Sequence, residues 1–167
     1  MVAQHWLKNI GVKAVVKEVE RSLHTRQLAN NELQIRVWSN DGSDNPFTYP
    51  DHILPYSNGS GWGPMYGTWY QSGGKQGMKP EGDAAKMLEL FEKGKGVPAN
   101  ERVAIGKEIV SLYTENQWVI GTVGVSPALL GIVVKKNNFG NVPDSMPGST
   151  PGQTPGNSRP EHFYFKS

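Results

Sequence analysis

Cysteine is absent from this chain of 167 residues. Disulfides, thiol chemistry and Cys-based zinc sites are therefore excluded, and the composition is compatible with an oxidising compartment. A charge excess is missing as well. The 17 Lys and Arg stand against 15 Asp and Glu, a formal +2, and no basic run exceeds a pair, which argues against a nucleic-acid partner. No apolar run reaches the roughly 20 residues that a membrane-spanning helix requires. The most apolar stretch, residues 118–134, is interrupted by Gly121, Gly124, Pro127 and Gly131. Its Val and Ile content predicts two buried strands joined by a turn at Ser126 and Pro127. The opening MVAQHWLKNI is too short and polar for an export signal, leaving either a cytoplasmic protein or an upstream region that precedes this sequence. Catalytic signatures are missing too: there is no HExxH, GxSxG or GxxxxGK. The histidines His5, His24, His52 and His162 show no metal-ligand spacing, and nothing in the sequence calls for a metal or cofactor. The glycine-rich GSGWG at 59–63 and SGGKQG at 72–77 read as tight turns, because neither sits between a clear strand and a helix start.

What is present is loop-rich and aromatic. Hydrophobic residues make up 37% and charged residues 19%, while Gly 20 and Pro 12 raise the loop content. A chain of this length can bury roughly 70% of its unfolded surface, so a core is possible. Residues 2–9 read as the end of an amphipathic helix bearing Trp6 and Leu7, followed by Ile10 and stopped by Gly11. Residues 12–20 alternate β-branched and charged side chains as a strand does. Residues 21–30 carry Leu23 and Leu28 among helix formers, and Asn30 and Asn31 break the pattern. Leu33, Ile35 and Val37 alternate with polar neighbours as a half-buried strand. This α-β-α-β order predicts an α/β fold, a parallel or mixed sheet with flanking helices.

After Trp38 the texture changes. Residues 39–46 (SNDGSDNP) form a polar turn cluster. Residues 57–77 hold seven glycines and the aromatics Trp62, Tyr66, Trp69 and Tyr70, an ordered excursion with one helical turn near residues 65–71. A helix is expected over 81–93, burying Ala84, Ala85, Leu88 and Phe91. Another is expected over 99–115, burying Val103, Ile109, Val110, Leu112 and Tyr113. Residues 140–160 form an extended loop rich in Gly and Pro, and HFYFK at 162–166 a short aromatic strand.

Ligands of open α/β sheets bind outside the carboxyl ends of strands. Trp38, Asn40 and Asp41 would stand at such a rim. Trp62, Tyr66 and Trp69 offer aromatic faces beside small polar groups, suited to stacking on sugar rings or packing on peptide side chains. The same rings read equally well as cover for a small core, and Trp6 and Trp118 read as core. The acids Asp41, Asp44 and Asp51 lie near aromatics, and paired carboxylates are what glycoside hydrolysis needs. All three fall where Asp serves turns. A carbohydrate-active enzyme using Asp41 or Asp51 with Glu81 is thus the alternative to a non-enzymatic binding role.

The run VAQHWLKNIGVKAVVKEVERSLHTRQLANNELQIRVW resembles the second lobe of the dipeptide/oligopeptide-binding family of bacterial extracellular solute-binding proteins. WYQSGGKQG at 69–77, KPEGDAAKMLELFEKGK after it, ERVAIGKEIVSLYTENQWVIGTVG at 101–124 and TPGNSRPEHFYF at 154–165 resemble later segments of that family in the same order. The resemblance implies a type II periplasmic-binding-protein lobe over residues 1–125. A hinge crossing and C-terminal segment of the first lobe would occupy 126–167. It implies a substrate-binding component of an ABC importer, capturing oligopeptides or oligosaccharides in a cleft between two lobes that close like a clamp. The partners would be the ligand and the permease subunits, reached through a longer parent that is periplasmic or extracellular and anchored as a lipoprotein. In peptide-binding members an Asp three residues after the strand-ending Trp receives the α-amino group. That spacing is Trp38-Ser39-Asn40-Asp41 here, so the role falls to Asp41. In oligosaccharide-binding members Trp stacking replaces the ion pair. An incomplete sheet would also leave open edges able to pair with a second copy.

Overall fold

The computed structural model describes residues 2–40, 45–121, 124, 136–144 and 155–166, and helix dominates them. Helix α1 (Val2–Ile10) stops at Gly11, whose φ of +71° turns the chain so that the Val12 N–H reaches back to the Trp6 carbonyl at 3.3 Å. Helix α2 (Arg21–Ala29) starts on Glu20, whose carboxylate accepts the Ser22 N–H at 3.1 Å. Its other end is closed by Asn31 at φ +57°. The Asn31 N–H bonds the Leu28 carbonyl and the Glu32 N–H the Gln27 carbonyl, each at 2.9 Å. This is the closure in which Asn replaces the usual glycine.

Residues 12–20 and 33–37, expected as strands, run without ladder partners among the described residues. Val15 and Val16 are 78% and 77% exposed and Val37 82%. Their alternation is that of strands, but a strand's hydrogen bonds must be completed by another strand. A helix completes its own.

The packed body lies between residues 47 and 119. Helix α3 (Pro64–Gln71) follows Gly63 and opens with Pro64 at its first position, where the missing N–H costs nothing. It is longer than the single turn expected. Helices α4 (Gly82–Lys95) and α5 (Ala99–Asn116) form an antiparallel hairpin. The hairpin is tied at one end by Asn116 Nδ2 to Asp83 at 2.8 Å and at the other by Arg102 Nε to the Gly94 carbonyl at 3.0 Å. Ala84, Met87 and Phe91 of α4 share one buried cluster with Ile105, Ile109 and Leu112 of α5, and Leu88 is buried as well. The α5 stripe is thus Ile105, Ile109 and Leu112, at spacings of four and three. The expected Val103 and Val110 lie off it, 58% and 38% exposed. Ala85 of α4 also lies outside the buried set.

The loop before α3 supplies the other side of the core. Ile53 and Leu54 are buried beneath the hairpin. The turn around them is held by Ser60, itself fully buried. Its hydroxyl accepts the Tyr56 and Ser57 N–H groups at 2.9 and 2.8 Å and donates to Asp51 at 3.1 Å. Gly67 is required where α3 crosses this loop, because a Cβ there would lie 2.2 Å from the Ser57 carbonyl oxygen.

Toward the C-terminus, β1 (Phe139–Gly140) pairs antiparallel with β2 (Tyr164–Phe165), Phe139 opposite Phe165. The aromatic HFYFK segment thus contributes a short strand. Most of the apolar stretch at 118–134 lies outside the described residues. No described helix is long and apolar enough to cross a membrane.

Candidate functional site

Helix α2 and the segment after it bring four side chains together. Trp38 stands at the end of residues 32–38 and keeps 47% of its surface exposed. The His24 ring stacks on the indole, with centroids 4.9 Å apart and planes at 9°. The Arg21 guanidinium carbon lies 5.6 Å from the Trp38 ring centroid and that of Arg36 6.0 Å, both within cation–π reach. The local geometry explains the convergence. Arg21 and His24 are three apart on α2 and share a face. Arg36 and Trp38 are two apart in the irregular segment that follows α2.

Arg36 is the anchor between this group and the packed body. Its Nη2 donates to the Ser60 carbonyl at 3.4 Å. Partial burial shifts the Arg36 guanidinium below its ordinary range, because removal from water disfavours the charged form. Among the described residues neither Arg21 nor Arg36 meets a carboxylate. Glu20, next in sequence, is turned to the Ser22 N–H and hydroxyl.

The other residues singled out from sequence are placed differently. Asn40 is exposed as a residue, and its side chain hydrogen-bonds Tyr113 of α5. Burial raises the Tyr113 hydroxyl above its usual range, and the Asn40 bond opposes that shift. Asp41 and Asp44 lie outside the described residues. Trp62 is a core residue, 9% exposed, stacked on Trp118 at 3.9 Å with planes at 9°. Its Nε1 donates to the Ile53 carbonyl at 2.9 Å. Tyr66 and Trp69 are half-buried and fold over glycines of their own excursion. The Tyr66 ring would lie 2.9 Å from a Cβ at Gly63, and Trp69 3.5 Å from one at Gly74. The structure thus gathers Trp38 with Arg21, His24 and Arg36, while the rings of 62–69 cover the core and its loop.

The three basic residues around Trp38 were not singled out from sequence. The signal was available in the i, i+3 pair on α2 and the i, i+2 pair before the turn. It was diluted because a lone Arg or His on an amphipathic segment is ordinarily a solvated residue.

Two further places have some chemical character. Asp51 accepts from the Ser57 and Ser60 hydroxyls at 2.5 and 3.1 Å, which is turn work. A recess of about 420 Å³ lies among Phe47, Thr48, Pro50, Tyr56, Phe91, Lys95 and Arg102. Its cations are already engaged. Lys95 pairs with Glu92 at 2.7 Å, and Arg102 donates to the Gly94 and Val97 carbonyls. No group of three potential metal ligands occurs among the described residues.

The chain matches no protein-family model and no curated protein.

Proposed function

We propose that this chain is part of an extracytoplasmic solute-binding protein, a substrate-binding component of an ABC importer that captures oligopeptides or oligosaccharides without chemistry. The observation that carries the reading is the exposed Trp38 ring on the segment that follows α2. It is flanked by Arg21, His24 and Arg36 and tied to the packed body by the Arg36 bond to Ser60. An aromatic face beside a few convergent polar groups is the usual make-up of a small-ligand rim. The strand-like segments 12–20 and 33–37 support the same reading. Their patterned but unladdered backbones fit a lobe whose sheet takes strands from elsewhere in a longer parent. Such a parent would carry the export signal, the lipid anchor and the other half of the cleft, and would present the closed lobes to the permease.

The enzymatic alternative has less to stand on, since Asp51 is committed to the Ser57 and Ser60 hydroxyls.

The test is ligand-induced thermal stabilisation, with di- to pentapeptides beside cello-, xylo- and manno-oligosaccharides. A ligand at 100 times its dissociation constant stabilises by about 2.7 kcal/mol. Stabilisation by peptides that Asp41→Ala abolishes would place the amine anchor at Asp41. Stabilisation by sugars that Trp38→Ala abolishes would make the indole the stacking platform. Turnover of a sugar, lost in Asp41→Asn, would replace the binding reading by the enzymatic one.

A further inference from the structure

The cations around Trp38 narrow the ligand. A guanidinium lying over an indole satisfies its face, not its edge. The N–H donors point outward in the guanidinium plane and still require acceptors. Arg36 spends one donor on the Ser60 carbonyl, at a long 3.4 Å. The Arg21 carbonyl accepts the Thr25 hydroxyl, but its guanidinium makes no hydrogen bond to a described residue and lies over the Trp38 ring. His24 Nε2 is closed off from solvent with no hydrogen-bond partner among the described residues. Three nitrogen-bearing side chains thus converge on one ring with no described acid to balance them. Unfilled guanidinium donors beside an apolar ring suit an anion carried on a ring or chain.

We infer that Trp38, Arg21, His24 and Arg36 form a site for a carboxylate-bearing ligand, the carboxylate on the guanidinium edges and the adjoining ring or chain against the exposed part of the indole. The inference deepens the binding reading above and rests on it. The carboxylate belongs either to a uronic acid of an acidic oligosaccharide or to the C-terminus of a peptide. Both offer a planar, two-oxygen anion, which a guanidinium fork holds by paired, charge-assisted hydrogen bonds.

The experiment is calorimetric titration of the 167-residue chain with four probes: a galacturonic acid trimer, its methyl ester, a tripeptide, and the same peptide amidated at its C-terminus. Neutral cello-oligosaccharide is the reference. The acid of one pair should bind at least about tenfold more tightly than its uncharged counterpart, and more weakly as salt is raised. Arg36→Gln should remove that advantage, and Arg36→Lys should restore part of it. Arg21 is exposed, so Arg21→Gln reports on the site even if Arg36→Gln fails to fold. Preference for the trimer over its ester assigns an acidic sugar, and preference for the free peptide over its amide assigns a peptide terminus. Equal binding of acid and uncharged forms, or an acid advantage that survives Arg21→Gln and Arg36→Gln, overturns the carboxylate site. If neutral sugar still binds in that case, the binding-protein reading stands. Silence toward all five probes overturns both.

Discussion

The segments on either side of the turn cluster at 39–46 obey the same patterning rules and meet opposite fates. In residues 47–119, apolar side chains at helical spacing are buried. Met87 and Ile109 are 0% exposed and Ile53 2%. In residues 11–38, apolar side chains at strand spacing are left in solvent, Val15, Val16 and Val37 among them. The difference lies in who supplies the partner. Helices α4 and α5 satisfy their own backbones and need only a neighbour one short turn away, so their hairpin closes locally. A strand needs a second backbone at ladder distance, which no described residue provides for these segments. Local sequence suffices for the first kind of element, and only a distant or external segment completes the second.

The contrast can be broken most forcefully at Trp62. Its ring stacks on Trp118 and its Nε1 bonds the Ile53 carbonyl, so Trp62→Ala should cost about 3–5 kcal/mol. Denaturant melts followed by far-ultraviolet circular dichroism would register this as loss of the α3–α5 signal. If Trp62 were instead a ligand platform indifferent to packing, the melt would be little changed.

A smaller effect on folding, but a visible one on association, is expected at Val16 and Val37. Val16→Lys or Val37→Lys should leave the melting curve within about 0.5 kcal/mol. Each should also suppress concentration-dependent association, since charge on an open edge discourages pairing. Light scattering over a wide concentration range measures this. A clean monomer in the unsubstituted chain would contradict the open-edge reading of residues 12–20 and 33–37.

The smallest effect concerns the start of α2. Bonds from the Ser22 hydroxyl and N–H hold the Glu20 carboxyl below the usual carboxylate range. A carboxyl lowered in the folded state stabilises it above the unfolded pKa, and the contribution fades as pH falls through the folded value. The first turn of α2 should therefore loosen on acidification below the ordinary glutamate range. The Ser22 amide shift in a nuclear magnetic resonance titration should follow it, and Glu20→Gln should flatten the response.

Much of the helical plan was legible in sequence for physical reasons. Gly11 and Asn31 mark helix ends because few residues accept a positive φ, whereas the start of α3 at Pro64 was not read from the sequence. The α5 stripe was misread by a fraction of a turn: Val103 and Val110 share a helical spacing with each other, yet the hairpin chose Ile105, Ile109 and Leu112. Among the candidate ligand contacts, Trp38 could be placed at the end of an extended run. Trp62 could not be distinguished from core until Trp118, far along the chain, was seen stacked on it.

By itself, then, the sequence determined where α1, α2, α4 and α5 run, the stops at Gly11 and Asn31, and the absence of thiol chemistry, because these depend on composition and on neighbours a few residues apart. Tertiary structure alone decided which aromatics are buried, that Asp51 serves the Ser60 turn, and that Arg21, His24 and Arg36 gather at Trp38. Those outcomes depend on which distant segments meet, and residue periodicity carries no record of that.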